Sequence, residues 1–393
     1  MRKRNIALGL VGALALAGAG VFASLDKETR GILMYLPTNA DVLTWSQAQR
    51  NAAFRALDRL PFLAKAREIA PSANPLPLPP GKLLTIPGLD DYFKSQNASA
   101  MVILQDGKLR LERYALDFDA QGRWTSFSVA KSYTSTLVGA AILDGFINSL
   151  EDKVSQYVTG LQGSAYDDVT VRQLLTMSSG VKWNEDYEDP NSDVSQFNKV
   201  KPEPGLDAIV SYMRKLPRAH KPGETWNYNT GETNLVGLLV SSATKKPLAE
   251  YLEEKIWKPA GMEAKATWLL GKTGQEIAGC CIQAATRDYA RMGLFVLANG
   301  NAGGKQIVPT DWFAQAIVKQ MPIPFAGRGY GFQWWTYDDG AVAARGIFGQ
   351  GIFIDPKRKL VIASNANWTR ASLGPEPAAR EAFYRQVQAI IDK

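Results

Sequence analysis

Histidine is almost absent from this sequence: His220 is the only one in 393 residues. A serine–histidine–aspartate triad would have to use it, yet it lies in the charged loop Arg218-Ala-His-Lys-Pro-Gly223, which runs into a turn and reads as solvated. Cysteine is nearly as scarce. Cys280 and Cys281 are neighbours, and a bridge between adjacent residues needs a strained ring, so they are expected as two buried thiols rather than as part of a disulfide framework. One histidine and one adjacent cysteine pair exclude a zinc site built on several such ligands. No metal and no organic cofactor is expected, and a hydrolase of this composition would need Lys, Tyr, Asp or Glu as its base.

Low-complexity segments and single-sign charge blocks are also lacking. Apolar residues make up 46% of the chain and charged residues 21%, which suits an enzyme-sized globular protein. Of the formal charge of +7, Arg2, Lys3 and Arg4 supply three, leaving about +4 on the rest. No stripe of Lys and Arg interleaved with aromatics follows, so no nucleic-acid partner is expected. The one long apolar run, residues 6–22, sits directly behind that cationic start. Residues 1–24 therefore read as a signal peptide, with Val21-Phe22-Ala23 resembling a cleavage site, or as an uncleaved N-terminal membrane anchor. The expected location is periplasmic, or anchored in the inner membrane facing the periplasm, with no other membrane contact. No cysteine follows the run, which argues against a lipoprotein.

Residues 25–85 read as an N-terminal extension, helix-leaning over 41–70 and closed by the linker Pro-Ser-Ala-Asn-Pro-Leu-Pro-Leu-Pro-Pro at 71–80. Two β-rich runs around Gln105-Asp106-Gly107 then predict a hairpin over 99–114. Small and apolar residues at helical spacing predict a helix over 129–143, stopped by Asp144-Gly145. Residues 150–300 alternate helical patterns (169–177, 207–215, 248–257) with polar loops, and strand signals return at 330–335, 351–355 and 360–363 before a last helix over 378–391. Strands at both ends with helices between predict an α+β fold. One antiparallel sheet, shared by the two ends of a domain spanning 86–393, would be flanked by helices, with a mostly helical lobe over about 150–300 beside it. An active site is expected between sheet and lobe.

A serine with a lysine three residues on is one solution to nucleophile activation, because positions i and i+3 share a helix face. The lysine must be buried enough to lose its proton. The spacing occurs four times, at Ser24/Lys27, Ser128/Lys131, Ser179/Lys182 and Ser242/Lys245. Ser24 ends the export segment, Ser179 sits in a Ser-Gly turn, and Ser242 lies at a solvated helix end. Ser128 alone opens a long apolar helix directly after the sheet hairpin, where backbone N–H groups and the helix dipole favour negative charge. The alternative for these residues alone is an N-cap serine with a surface lysine.

The element Phe-Ser-Val-Ala-Lys131 resembles the nucleophile motif of serine β-lactamases and penicillin-binding proteins. Val-Thr-Val-Arg-Gln-Leu-Leu-Thr-Met-Ser-Ser-Gly180, the segment Pro222-Gly-Glu-Thr-Trp-Asn-Tyr-Asn-Thr230 and Ala284-Ala-Thr-Arg-Asp-Tyr-Ala-Arg-Met-Gly293 are similar to later elements of class C enzymes, over about residues 95–390. The resemblance implies a β-lactamase/transpeptidase-like fold with Ser128, Lys131 and Tyr228 as catalytic residues. It puts Tyr228 on the family tyrosine, which would act as a base only if Lys131 lowers its pKa, and Thr230 where class C enzymes have Asn. The Lys-Thr-Gly element falls on Ala344-Arg345-Gly346, Lys272-Thr-Gly274 being in the wrong place. Its cation is thus missing, which predicts poor β-lactam and D-peptide turnover. Backbone N–H groups of Ser128 and Ile347 would form the oxyanion hole.

Trp183-Asn-Glu-Asp-Tyr187 and Arg345-Gly-Ile-Phe-Gly-Gln350 are most similar to the 6-aminohexanoate-dimer hydrolase and esterase branch, which implies substrate contacts from Tyr187, Thr230, Arg345 and Gly346. The resulting expectation is a serine hydrolase cleaving a small ester or linear amide. A D-amino-acid peptidase or β-lactamase, and a non-catalytic binding protein with a decayed site, are the alternatives.

Overall fold

The strand Ala98–Gln105 (β1) is buried at every position but its last, because it is covered on both faces. Val102 and Leu104 point into one core; Met101 and Ile103 point into another on the opposite face. Asp106 and Gly107 follow with φ of 49° and 72°, the pair of positive values that a two-residue hairpin turn requires, and the chain returns as Lys108–Tyr114 (β2). The computed structural model describes residues 20–60 and 65–393. Most of the segment expected to direct export, residues 1–19, lies outside the described residues. Among the described residues no helix is long and apolar enough to cross a membrane.

The hairpin joins six strands from the other end of the chain: Met321–Pro322 (β3), Arg328–Tyr330 (β4), Trp335–Tyr337 (β5), Val342–Arg345 (β6), Gly351–Asp355 (β7) and Leu360–Ala366 (β8). The eight strands are antiparallel in the order β2-β1-β8-β7-β6-β5-β4-β3. Ile362 of β8 faces Ile103 of β1, so the two chain ends do share one sheet, as their strand signals predict. The run 330–335 is not one strand. Gly331 donates its N–H to the Trp334 carbonyl at 2.8 Å, and this tight turn makes β4 and β5 a hairpin.

Helix Ala130–Leu143 (α2) and helix Thr286–Leu297 (α4) cover one sheet face, and Glu376–Ile391 (α5) covers the other through Phe383, Tyr384 and Val387. α2 is buried all round from Ala130 to Ala141, lying between the sheet and the helical lobe. Its single glycine, Gly139, admits the indole of Trp312; a Cβ there would stand 2.6 Å from the ring. Thr230–Thr244 (α3) leads the lobe and packs beside α2, with the shorter helices Val171–Leu175, Ala208–Met213 and Leu248–Leu252 around it. The Asn229 side chain caps α3 by accepting the Glu232 N–H at 3.0 Å.

The described residues of the segment 25–85, expected as an extension and linker, lie against this body. Helix Gln47–Ala53 (α1) opens on a capping box made by Ser46 and Gln49. Beyond it Phe54, Leu57 and, before it, Trp45 are buried, as large apolar side chains within reach of a core will be. Ala66–Ile69 pairs with Ala266–Leu269 in a second sheet completed by Ile282–Ala284 and Trp124–Thr125. Through that sheet the N-terminal segment reaches the chain just before Ser128.

Candidate active site

Between Trp124–Thr125 and α2 the chain makes one turn, Phe127–Val129. Ser126 is tied down on both sides: its N–H donates to the Ile282 carbonyl at 2.8 Å, and its Oγ accepts the Ile282 N–H at 2.9 Å. Phe127 then takes φ of 42°, a left-handed conformation that a bulky residue seldom adopts. Its ring holds it there by packing on Phe54 at 5.0 Å and Phe348 at 5.7 Å between centroids. The turn presents Ser128 at the front of α2, beside a cleft.

Lys131 stands one turn later and is buried. Its Nζ lies 3.0 Å from Ser128 Oγ, 3.0 Å from Thr230 Oγ1 and 2.9 Å from the Gly279 carbonyl. Burial drives its pKa down to about 8, against an opposing pull from Glu185. Three acceptors match the three protons of an ammonium. The neutral amine can keep two of these bonds, to Thr230 and Gly279, and turn its lone pair on Ser128. Tyr228 lines the cleft with Ser128, and the Lys131 amine stands 5.3 Å from its ring centroid. Its pKa is raised, first by burial and then by Glu185, so the phenol keeps its proton. The lowering on which a tyrosine base would depend is not seen, because desolvation and Glu185 outweigh Ser128 and Arg345, which pull the other way.

Glu185 was singled out by no sequence argument, although it lies inside the Trp183–Tyr187 segment. It accepts the Thr230 N–H at 2.9 Å, the Tyr187 hydroxyl at 2.6 Å, the Thr230 hydroxyl and the Trp183 indole N–H. A continuous chain thus runs from Ser128 through Lys131 and Thr230 to Glu185. Thr230, expected at a substrate-contact position, has its hydroxyl committed to this chain. Tyr187 lines the cleft beside Ser128.

Strand β6 forms the opposite wall. Ala344 is buried in the core, and its methyl supplies no cation. Arg345 lines the cleft, its guanidinium 5.4 Å from the Trp335 ring centroid and 3.4 Å from Glu381. At Gly346 the strand presses on the nucleophile turn: a Cβ would stand 2.6 Å from the Ser126 carbonyl oxygen. Ile347 follows, lining the cleft with Ser128.

The other serine–lysine pairs are engaged elsewhere. Ser179 donates to Glu232, Ser242 donates to the Tyr157 carbonyl at 2.7 Å, and Ser24 donates to the Val21 carbonyl in an exposed helical stretch. Lys272-Thr-Gly274 lies in the exposed loop after Ala266–Leu269. Among the described residues, no group of three or more His, Cys, Asp and Glu could hold a metal ion. The expectation of two thiols at 280–281 is corrected: Cys280 and Cys281 are joined by a disulfide. Cys281 takes φ of 75°, and this sharp turn brings the two sulfurs together directly after Gly279, the residue that holds Lys131.

Residues 89–385 match the beta-lactamase family. The chain belongs to that family. Among curated members, 6-aminohexanoate-dimer hydrolase from Paenarthrobacter ureafaciens is 27% identical over 368 residues, covering 89% of this chain and 92% of the relative. Among solved structures, a candidate 6-aminohexanoate-dimer hydrolase from Bacillus anthracis superposes with a TM-score of 0.76 at 24% identity, over 86% of this chain and 93% of the other. A family VIII carboxylesterase superposes with a TM-score of 0.57 at 16% identity, over 78% and 99%. These structural likenesses establish the β-lactamase/transpeptidase-like α+β fold. The beta-lactamase fold family of serine hydrolases includes both esterases and amidases.

Proposed function

We propose that this protein is a serine hydrolase that cleaves an ester or linear amide through an acyl-enzyme on Ser128. The observation that carries the reading is the Lys131 amine, buried, 3.0 Å from Ser128 Oγ and shifted to a pKa of about 8. At that value a useful fraction is neutral near physiological pH, which is what a general base needs.

In this reading neutral Lys131 takes the Ser128 proton as Oγ attacks the substrate carbonyl. The N–H groups of Ser128 and Ile347 hold the oxyanion. Tyr228, protonated and in the same cleft as Ser128, passes a proton to the departing alcohol or amine and is restored from Lys131. Water then attacks the acyl-enzyme by the same relay in reverse. Thr230 and Glu185 position Lys131 and balance its charge. Tyr187 and Arg345 contact substrate from the cleft walls. Because Ala344 brings no cation to its position, β-lactams and D-peptides are expected to turn over poorly. Export to the periplasm, as a mature or anchored protein, is proposed from the first residues of the sequence.

The test is turnover of short-chain esters, linear amides and β-lactams by the wild type and by Ser128→Ala. Loss of ester and amide turnover in the variant supports the reading, and equal rates for the two proteins would sink it.

A further inference from the structure

Two chambers meet at Ser128. The larger, about 560 Å³, holds Tyr228, Trp335, Arg328 and Arg345. The smaller, about 220 Å³, is bounded by Leu43, Trp45, Phe197, Ile277 and the Cys280–Cys281 bridge, and among the described residues no charged side chain lines it. Ser128, Tyr187 and Ile347 border both. The phenol that protonates the leaving group lines only the larger chamber. The leaving group must therefore depart into that chamber, and the acyl part, on the far side of the carbonyl carbon, falls into the smaller one.

We propose that the smaller chamber is an acyl-chain pocket selecting an uncharged alkyl chain of medium length. This inference rests on Ser128 as the nucleophile. Part of the wall comes from the N-terminal segment: Val42, Leu43, Trp45 and Leu57 precede the residues that match the family. α1 and Phe54 anchor that segment beside the nucleophile turn, where the Phe54 carbonyl accepts the Thr125 N–H at 3.0 Å. The disulfide closes the wall as two bridged sulfurs that carry no thiol proton, so an alkyl chain meets an apolar surface. A chain ending in an ammonium would lose its water there and find no carboxylate to pair with.

The test holds the leaving group constant and varies the acyl group, using p-nitrophenyl esters from acetyl to decanoyl together with 6-aminohexanoyl. kcat/KM is expected to rise by up to about fourfold per added methylene until the pocket is full, then fall. Hexanoyl should exceed 6-aminohexanoyl by at least about tenfold. Leu43→Trp, or Ile277→Phe if the first variant fails to fold, should bring the hexanoyl-to-acetyl ratio close to one. Leu373→Trp, which narrows the larger chamber, should leave that ratio as in the wild type. A flat or falling chain-length profile, a preference for 6-aminohexanoyl, or a ratio moved only by Leu373→Trp would overturn the pocket while leaving the nucleophile standing. Hydrolysis that survives in Ser128→Ala would instead remove both.

Discussion

Lys131 is held between two opposing influences, burial that strips its proton and Glu185 that favours it. Acylation should follow the neutral amine, so kcat/KM is expected to rise with pH through about 8 and then level off. Glu185→Gln removes the influence that raises the lysine's pKa, so the rising limb should move to lower pH; a pH–rate profile reads this directly. A limb that stays in place would make Glu185 a packing residue only. Arginine cannot give up its proton, and Lys131→Arg should lower kcat/KM by about 10²–10⁴-fold. That Ser128, Lys131 and Tyr228 lie together was legible because a helix face and a family motif converge on them. Glu185 was not, since its loop meets the start of α3 only in three dimensions. The disulfide was not either, because joining neighbours depends on a backbone turn that the sequence does not announce.

At the scale of elements, the site is a joint between β6 and the front of α2. Gly346→Ala would push the strand from Ser126 and displace the Ile347 N–H, proposed to hold the oxyanion, from Ser128. Misplacement of that order costs about 10²-fold in rate, so kcat should fall while the fold persists, as seen by steady-state kinetics beside circular dichroism. In α3 a second buried group sets a pH dependence of stability. Glu232 is raised to about 8 by burial, so the folded state binds its proton more tightly than the unfolded chain, whose glutamates titrate near 4.3. Stability from this group is complete below that lower value and is lost as pH rises towards about 8. Glu232→Gln should flatten the melting temperature across that interval. The hairpin β1–β2 and helix α2 were readable from local pattern and turn chemistry. The β4–β5 hairpin was read as one strand because the turn at Gly331 is lined by aromatics that carry the same signal as the strands.

Across the whole molecule, the two ends of the chain meet: β1 and β2 sit against β8, and the segment before residue 86 seals the nucleophile turn through Phe54. Polar composition made that segment read as an extension, and its large apolar residues Trp45, Phe54 and Leu57 are buried against the core. Phe54→Ala should destabilise the protein by about 3–5 kcal/mol, measured by denaturant unfolding. Whether Ser128 carries the acyl group is read by intact and peptide mass spectrometry after reaction with a fluorophosphonate. A single adduct on Ser128 is expected in the wild type and none in Ser128→Ala. An adduct on another residue, or an unlabelled wild type that still hydrolyses its esters, would contradict that role.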